Sequence, residues 1–196
     1  MDKETIKYYD SNAKNYVERT INADMSQAIG RFLKYLPNNA YILDFGCGSG
    51  RDSKTFIDLG YEVLAWDGSL ELAKLASKYL KQPVRCEDFL RLDNEETFDG
   101  VWACASILHL PNNDLVEVLK KISDALKPGG YLYTSFKNGK GEKIVLDRFF
   151  NYVDHDKMIE NIQQIKSLQL VEEWVDTDKI GRKDLAWNNY ILRRTK

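Results

Sequence analysis

The sequence predicts an α/β fold, with a seven-stranded, mostly parallel sheet, helices on both faces and an antiparallel hairpin at the C-terminal end. Three observations carry this. Strand-like and helix-like segments alternate from residue 40 onward, the pattern of parallel strands joined by helical crossovers. The first strand runs straight into Gly46-Cys47-Gly48-Ser49-Gly50, with glycines at alternate positions immediately before a helix. The last two strands are joined by a polar segment containing Gly181 that is short enough for a hairpin.

Each element follows from local pattern. Ahead of the sheet, Ile6, Tyr9, Ala13 and Tyr16 share one helical face, as do Ile29, Phe32, Leu33 and Leu36. Tyr41-Ile42-Leu43 with Phe45 reads as a buried strand, and residues 52–59 as the helix after the glycines. Residues 61–66 form a second strand ending at Asp67. Ser69 then caps a helix over 69–80 with Leu72, Leu75, Ala76 and Tyr79 at helical spacing. Residues 84–87 are a third strand and 97–105 a fourth, which leads into Ser106-Ile107-Leu108-His109-Leu110-Pro111. A helix from about residue 113 puts Leu115, Leu119, Ile122 and Leu126 on one face. Lys127-Pro128-Gly129-Gly130 stops it and turns the chain into a fifth strand over 131–136. Residues 137–152 follow without a strand or helix signal and include a flexible stretch, Asn138-Gly139-Lys140-Gly141. Met158, Ile162 and Ile165 mark one more helix, begun by Asp154-His155-Asp156, before closing strands over 170–177 and 185–194.

The 196 residues, 43% hydrophobic and 12% aromatic, suit one domain with a sizeable core and exclude disordered and fibrous classes. A formal net charge of −2 argues against a broadly basic nucleic-acid surface. No apolar run reaches the roughly 18 residues of a membrane span, and the charged start Met1-Asp2-Lys3-Glu4 is unlike a signal peptide. A soluble, cytoplasmic protein is expected. Cys47, Cys86 and Cys104 lie far apart in strand-like surroundings, without a zinc pattern, and read as small reduced core residues. No metal site and no redox role is assigned.

The glycine loop is a candidate cradle for a nucleotide-like ligand, since it allows positive φ and opens a helix whose free N–H groups favour an anion. A dinucleotide fingerprint would place its third glycine at position 51, which holds Arg51. That guanidinium can bind a carboxylate in a bidentate way. Asp67, at the end of the second strand, can accept hydrogen bonds from both hydroxyls of a ribose, whichever adenosine cofactor carries it. His109 follows the fourth strand and is either a base titrating near neutrality or a loop-packing residue.

Taken together, Asp44, Gly46, Gly48, Gly50, Arg51, Asp67, Asp88, Phe98-Asp99-Gly100-Val101 and Leu126-Lys127-Pro128-Gly129-Gly130-Tyr131 resemble the motifs of class I S-adenosylmethionine-dependent methyltransferases. The resemblance covers the chain from about residue 26 onward. It implies a Rossmann-like sheet core over 40–196 under a helical lid over 1–36, together one methyltransferase domain over 1–196. It also implies S-adenosylmethionine as cofactor and S-adenosylhomocysteine as product. Under it, Asp44, Gly46, Cys47, Gly48, Gly50 and Arg51 form the cradle, and Asp67 and Gly68 meet the ribose. Asp88 takes the adenine amino group with Phe89 beside the ring, and Ala103, Ala105 and Ser106 meet the methionine part. Phe89 reads equally as core. Tyr9 and Tyr16 either close over the cofactor or form the buried seam of an amphipathic helix. The run Gly48-Ser49-Gly50-Arg51-Asp52-Ser53 is similar to small bacterial methyltransferases grouped with tellurite-resistance enzymes.

The reaction so implied is an in-line displacement onto a small-molecule acceptor, whose pocket is expected from the helices ahead of the sheet, the His109 loop and residues 137–152. A base such as His109 is needed only where the acceptor must lose a proton. The alternatives are a non-catalytic S-adenosylmethionine-binding sensor or partner subunit, an RNA methyltransferase, and an NAD(P)-dependent reductase. The acceptor and the oligomeric state are not set by the sequence.

Overall fold

A computed structural model describes residues 2–195. In chain order the first half contains α1 (Lys3–Thr20), α2 (Ser26–Leu33), β1 (Tyr41–Phe45), α3 (Arg51–Asp58), β2 (Glu62–Asp67), α4 (Leu70–Leu80), β3 (Arg85–Cys86) and β4 (Phe98–Ala103). The second half contains α5 (Asn112–Ala125), β5 (Leu126–Lys137), β6 (Gly141–Val145), β7 (Arg148–Tyr152), α6 (His155–Gln163), β8 (Leu168–Thr177) and β9 (Ala186–Arg194). Seven strands make one sheet in the order β3-β2-β1-β4-β5-β9-β8. Neighbours from β3 to β5 are parallel, and β9 runs antiparallel to both β5 and β8. This is the predicted Rossmann-like sheet with its C-terminal hairpin. The strand order reverses between β1 and β4, so a crevice opens beyond their carboxyl ends, where ligands of such sheets bind.

The period-2 alternation of the strands decides which helices cover which face. Leu43, Val101 and Leu132 point to one side and pack with Leu115, Leu119 and Ile122 of α5 and Met158 and Ile162 of α6. Their neighbours Ile42, Trp102 and Tyr133 point to the other side and pack with Ile29 and Phe32 of α2 and Phe56 of α3. Trp102 and Tyr133 stack at 3.9 Å between ring centroids. Helix α1 lies apart from both layers, against α4 and β7. Ser69 donates to Asp10 at 2.6 Å and the Phe149 amide to Thr5 Oγ1 at 2.9 Å, which ties α1 across the crevice.

Several boundaries move from their sequence-based positions. The third strand shrinks to two residues because Asp88 already caps a 3-10 turn, accepting from the Leu90 amide. The fourth ends at Ala103, since Ala105 turns out of the strand with φ +51°. The fifth begins at Leu126, and Lys127 to Gly130 form a bulge against β4 where only a helix stop was expected. The largest difference is in 137–152, where no strand was expected and the β6–β7 hairpin forms. Leu146 and Asp147 form its two-residue turn, both at positive φ. A leucine at such a position hides the turn, whose usual signal is Asn-Gly. Among the described residues, no helix is long and apolar enough to cross a membrane.

Candidate functional site

The glycine loop sits where β1 ends at the switch point. The Trp66 carbonyl accepts from the amides of Gly46 and Cys47 at 2.7 and 2.9 Å, which fixes the loop to β2. All three glycines have positive φ, and Gly46 and Gly48 border a small space beneath α1 while Gly50 does not. A Cβ at Gly46 would stand 2.2 Å from the Ser106 Cβ, and one at Gly50 would stand 3.2 Å from Leu80. Gly50 therefore serves packing, while Gly46 both borders the space and leaves no room for a side chain against Ser106. At Gly48 the nearest group is the ring of Tyr16, 3.1 Å from the same imaginary atom.

Tyr16 thus lies over the cradle. The space beneath α1, bounded by Gly46, Gly48, Asp67, Phe89, Ala105 and His109, measures about 30 Å³. That is room for about one water. Asp67 is buried at its edge, with Oδ2 accepting from the Gly48 amide and Oδ1 from the Ser69 amide, each at 2.8 Å. Burial pushes its pKa up to about 6, and the two amides pull the other way. A carboxylate has about four acceptor positions, so lone pairs remain for a further donor. Phe89 borders this space but is a core residue, its ring 4.3 Å from that of Phe45.

Asp44, Cys47, Gly50, Gly68, Asp88 and Ala103 lie outside the lining of this space. Asp44 is buried and accepts from the Ser53 hydroxyl at 2.5 Å, and burial together with the nearby Asp52 charge raises its pKa. Cys47 packs with Ala65, Ala76 and Leu80. Arg51 lines the larger cavity, and one edge of its fork is taken by the protein: Nε and NH2 donate to the two oxygens of Asp52 at 2.6 and 2.8 Å, and NH1 donates to the Thr20 carbonyl at 3.2 Å. Trp102 Nε1 donates to the same Asp52 at 2.9 Å, so the buried acid, not a ligand, orients the guanidinium.

Ala105 borders both this space and a larger cavity of about 140 Å³ on the far side of Tyr9 and Tyr16. Its left-handed backbone is stabilised by its amide donating to Ser135 Oγ at 2.9 Å. A non-glycine residue held at positive φ where two cavities meet is the kind of strain that gathers at functional sites. His109 stands at the same junction and is buried. Its Nδ1 lies 2.6 Å from the Phe149 carbonyl and must donate to it; Nε2, 2.8 Å from the Tyr9 hydroxyl, then accepts. Burial pushes its pKa down to about 4, helped by the charges of Arg148 and Lys137, although the Phe149 carbonyl opposes the shift.

The larger cavity is walled by Tyr8, Tyr133, Phe150 and Trp187, and its cations include Lys137, Arg148 and Arg182 together with Arg19, Arg51 and Lys179. Most of these carry no local sequence signal, because strands distant in the chain bring them together. The expectation that an acceptor pocket comes from the helices ahead of the sheet, the His109 loop and residues 137–152 anticipates the place of Tyr8, Lys137, Arg148 and Phe150.

A seven-stranded Rossmann-like sheet with a glycine cradle at its switch point is a fold of methyltransferases. Residues 42–130 match the methyltransferase domain family. The ubiquinone biosynthesis O-methyltransferase of Xanthomonas axonopodis pv. citri is 31% identical over 109 residues, which cover 52% of this chain and 45% of that protein. Its counterpart in Xanthomonas campestris pv. campestris is 32% identical over 106 residues, covering 50% and 44%. The chain thus spans about half the length of the curated relatives it matches. The fold is similar to that of the 1,6-didemethyltoxoflavin-N1-methyltransferase of Burkholderia thailandensis, solved with 1,6-didemethyltoxoflavin and S-adenosylhomocysteine. The TM-score is 0.79 at 21% identity, over 98% of this chain and 88% of that one. It is also similar to the CcbJ methyltransferase of Streptomyces caelestis (TM-score 0.76, 17% identity, all of both chains) and to the cyclase SpnF (0.75, 14%, 96% and 94%).

Proposed function

We propose that the protein is an S-adenosylmethionine-dependent methyltransferase acting on a small-molecule acceptor. The observation that supports this most is the pairing of two spaces across Ala105: a glycine cradle edged by Asp67 on one side and an aromatic-walled cavity on the other. A donor in the first would present its methyl group toward the second. The match of residues 42–130 to the methyltransferase domain and the O-methyltransferase relatives support the same reading.

In this reading Asp67 receives the ribose hydroxyls on its remaining lone pairs, and the Gly48 backbone faces the cofactor. Asp88 takes the adenine amino group with Phe89 at the ring edge, and Ala105 and Ser106 lie along the methionine part. Arg51 acts mainly through Asp52, holding the end of α1. Residues 1–36 serve as the lid of a single domain, and Tyr16 must leave the face of Gly48 before an adenosyl group can enter about 30 Å³. The bound cofactor supplies an activated methyl group, and the chain's part is to hold the acceptor in line behind it and exclude water. A histidine whose pKa lies near 4 is a weak base at neutral pH. His109 therefore acts as a positioning residue that aims the Tyr9 hydroxyl at the junction. The likeness to methyltransferases grouped with tellurite-resistance enzymes belongs to this proposal as well.

A second reading, a cofactor-binding protein that transfers nothing, is favoured by Tyr16 lying over the cradle and by the fold shared with a cyclase. Calorimetric titration with S-adenosylhomocysteine, together with incubation of a cell extract with methyl-labelled donor, separates the readings. Binding with transfer supports the enzyme; binding without transfer supports the second reading; absence of binding defeats both.

A further inference from the structure

Among the described residues, three cations that line the larger cavity have no ion-pair partner: Arg19, which is exposed, and Lys137 and Arg148, which meet at the Phe150 ring. Lys137 closes β5 and is only 9% exposed, with its Nζ 3.3 Å from the centroid of the Phe150 ring. Arg148 opens β7, its guanidinium carbon 5.2 Å from the same ring and 4.4 Å from the ring of Tyr8. The Arg148 Nε is buried and has no hydrogen-bond partner. Among the described residues, no carboxylate lies within ion-pair distance of either side chain. The two acids that border the cavity are engaged elsewhere. Asp176 pairs with Lys179 at 2.8 Å, and Asp178 pairs with Arg182 at 2.5 Å while also accepting from Trp187 at 3.0 Å.

Buried charges are ordinarily paired, because leaving water without a counter-charge is costly. Two like charges converging on one ring raise that cost further. Burial, with the charges of Arg148 and Arg182, brings the Lys137 pKa down to about 8. The cation–π contacts to Phe150 and Tyr8 recover only part of this. What remains is a site of positive potential, with an unused N–H donor, in a cavity walled by flat rings.

We infer that Lys137 and Arg148 form an anion subsite that anchors the carboxylate of a small aromatic or heteroaromatic acceptor. The rings of Tyr8, Phe150 and Trp187 give the planar part of such a molecule its walls. The carboxylate rests between the two cations, and the opposite edge of the molecule extends toward Ala105, where the two spaces meet. Arg182, held by Asp178, adds positive potential without being free to chelate. This inference rests on the proposed methyl-transfer reading only for the word acceptor; the anion subsite stands on its own geometry.

The test uses benzoate and benzamide, planar isosteres that differ in charge, titrated into the full chain by calorimetry or ligand-observed NMR. S-adenosylhomocysteine is titrated in parallel. Benzoate should bind at least about tenfold more tightly than benzamide, as expected for hydrogen bonds to charged groups. Lys137→Met and Arg148→Met should each remove that preference, and Lys137→Arg should keep it. Circular dichroism confirms that each variant is folded, and the Lys137→Arg arm keeps the test decisive if a methionine variant is not. Equal binding of benzoate and benzamide, or an undiminished preference in both methionine variants, overturns the subsite. Failure of benzoate to bind up to its solubility overturns it too. Benzoate preference without S-adenosylhomocysteine binding would instead sink the donor reading and leave the subsite standing.

Discussion

His109 should stay neutral down to about pH 4, and its resistance to protonation should be visible as a stability difference. The folded pKa is near 4 because the ring is 4% exposed and two cations, Arg148 and Lys137, act on it. In the unfolded chain it returns to about 6.5. A folded-state pKa below the unfolded one means that the unfolded chain binds the proton first. Stability is therefore highest above pH 6.5 and is lost as pH falls toward 4. The linkage relation gives a loss of about 2 kcal/mol at pH 5, rising to about 3 kcal/mol below the folded pKa. The assay is urea unfolding at pH 7.5 and pH 5 for the wild type and for His109→Asn. Asparagine still donates to the Phe149 carbonyl but does not titrate. The wild type should lose about 2 kcal/mol more than the variant between the two pH values. Asp67, whose raised pKa works in the opposite direction, and His155, which Glu173 pulls upward, are present in both proteins and cancel. Equal pH dependence in the two proteins, or a His109 ring titrating near 6.5 by NMR, would refute the reasoning and restore His109 as a base for neutral pH.

Other outcomes follow from the same geometry. Asp67→Asn should weaken S-adenosylhomocysteine binding about tenfold to a hundredfold by calorimetry, since it replaces a charged acceptor of hydroxyl hydrogen bonds; unchanged affinity would remove Asp67 from the cofactor site. Tyr16→Ala should speed S-adenosylhomocysteine association in stopped-flow fluorescence, because the ring no longer has to leave Gly48, and an unchanged rate would mean that Tyr16 gates nothing. Trp102→Phe removes a buried donor from Asp52 and should cost about 1–3 kcal/mol in urea unfolding. Gly50→Ala should cost about 1–2 kcal/mol, from its φ of +78° and a Cβ 3.2 Å from Leu80, without changing which ligands bind.

Much of the architecture is legible in the chain because it is written in local pattern. Ile42 beside Leu43 and Trp102 beside Val101 alternate between two apolar faces, which states that helices cover both sides. Ser69 as a cap and Asp154 before α6 are likewise local, each accepting from an amide three residues on. The β6–β7 hairpin was not legible, because Leu146 and Asp147 adopt its turn without the residues that usually mark one. Arg51 shows a different limit. Its type permits a carboxylate partner, but only the fold reveals that Asp52, fixed by Trp102, takes one edge of the guanidinium.

The sequence by itself determined the sheet, its order of elements, the glycine cradle and the acid at the end of β2, since period-2 and helical apolar spacing and positive-φ glycines act over a few residues. Tertiary structure alone decided what occupies the cradle's face and what lines the neighbouring cavity. Tyr16 meets Gly48, His109 meets Tyr9, and Lys137 meets Arg148 across Phe150 only after α1, β5 and β7 have packed. Burial then shifts the histidine and lysine pKa values, and no local pattern carries information about burial by residues that arrive from a hundred positions away.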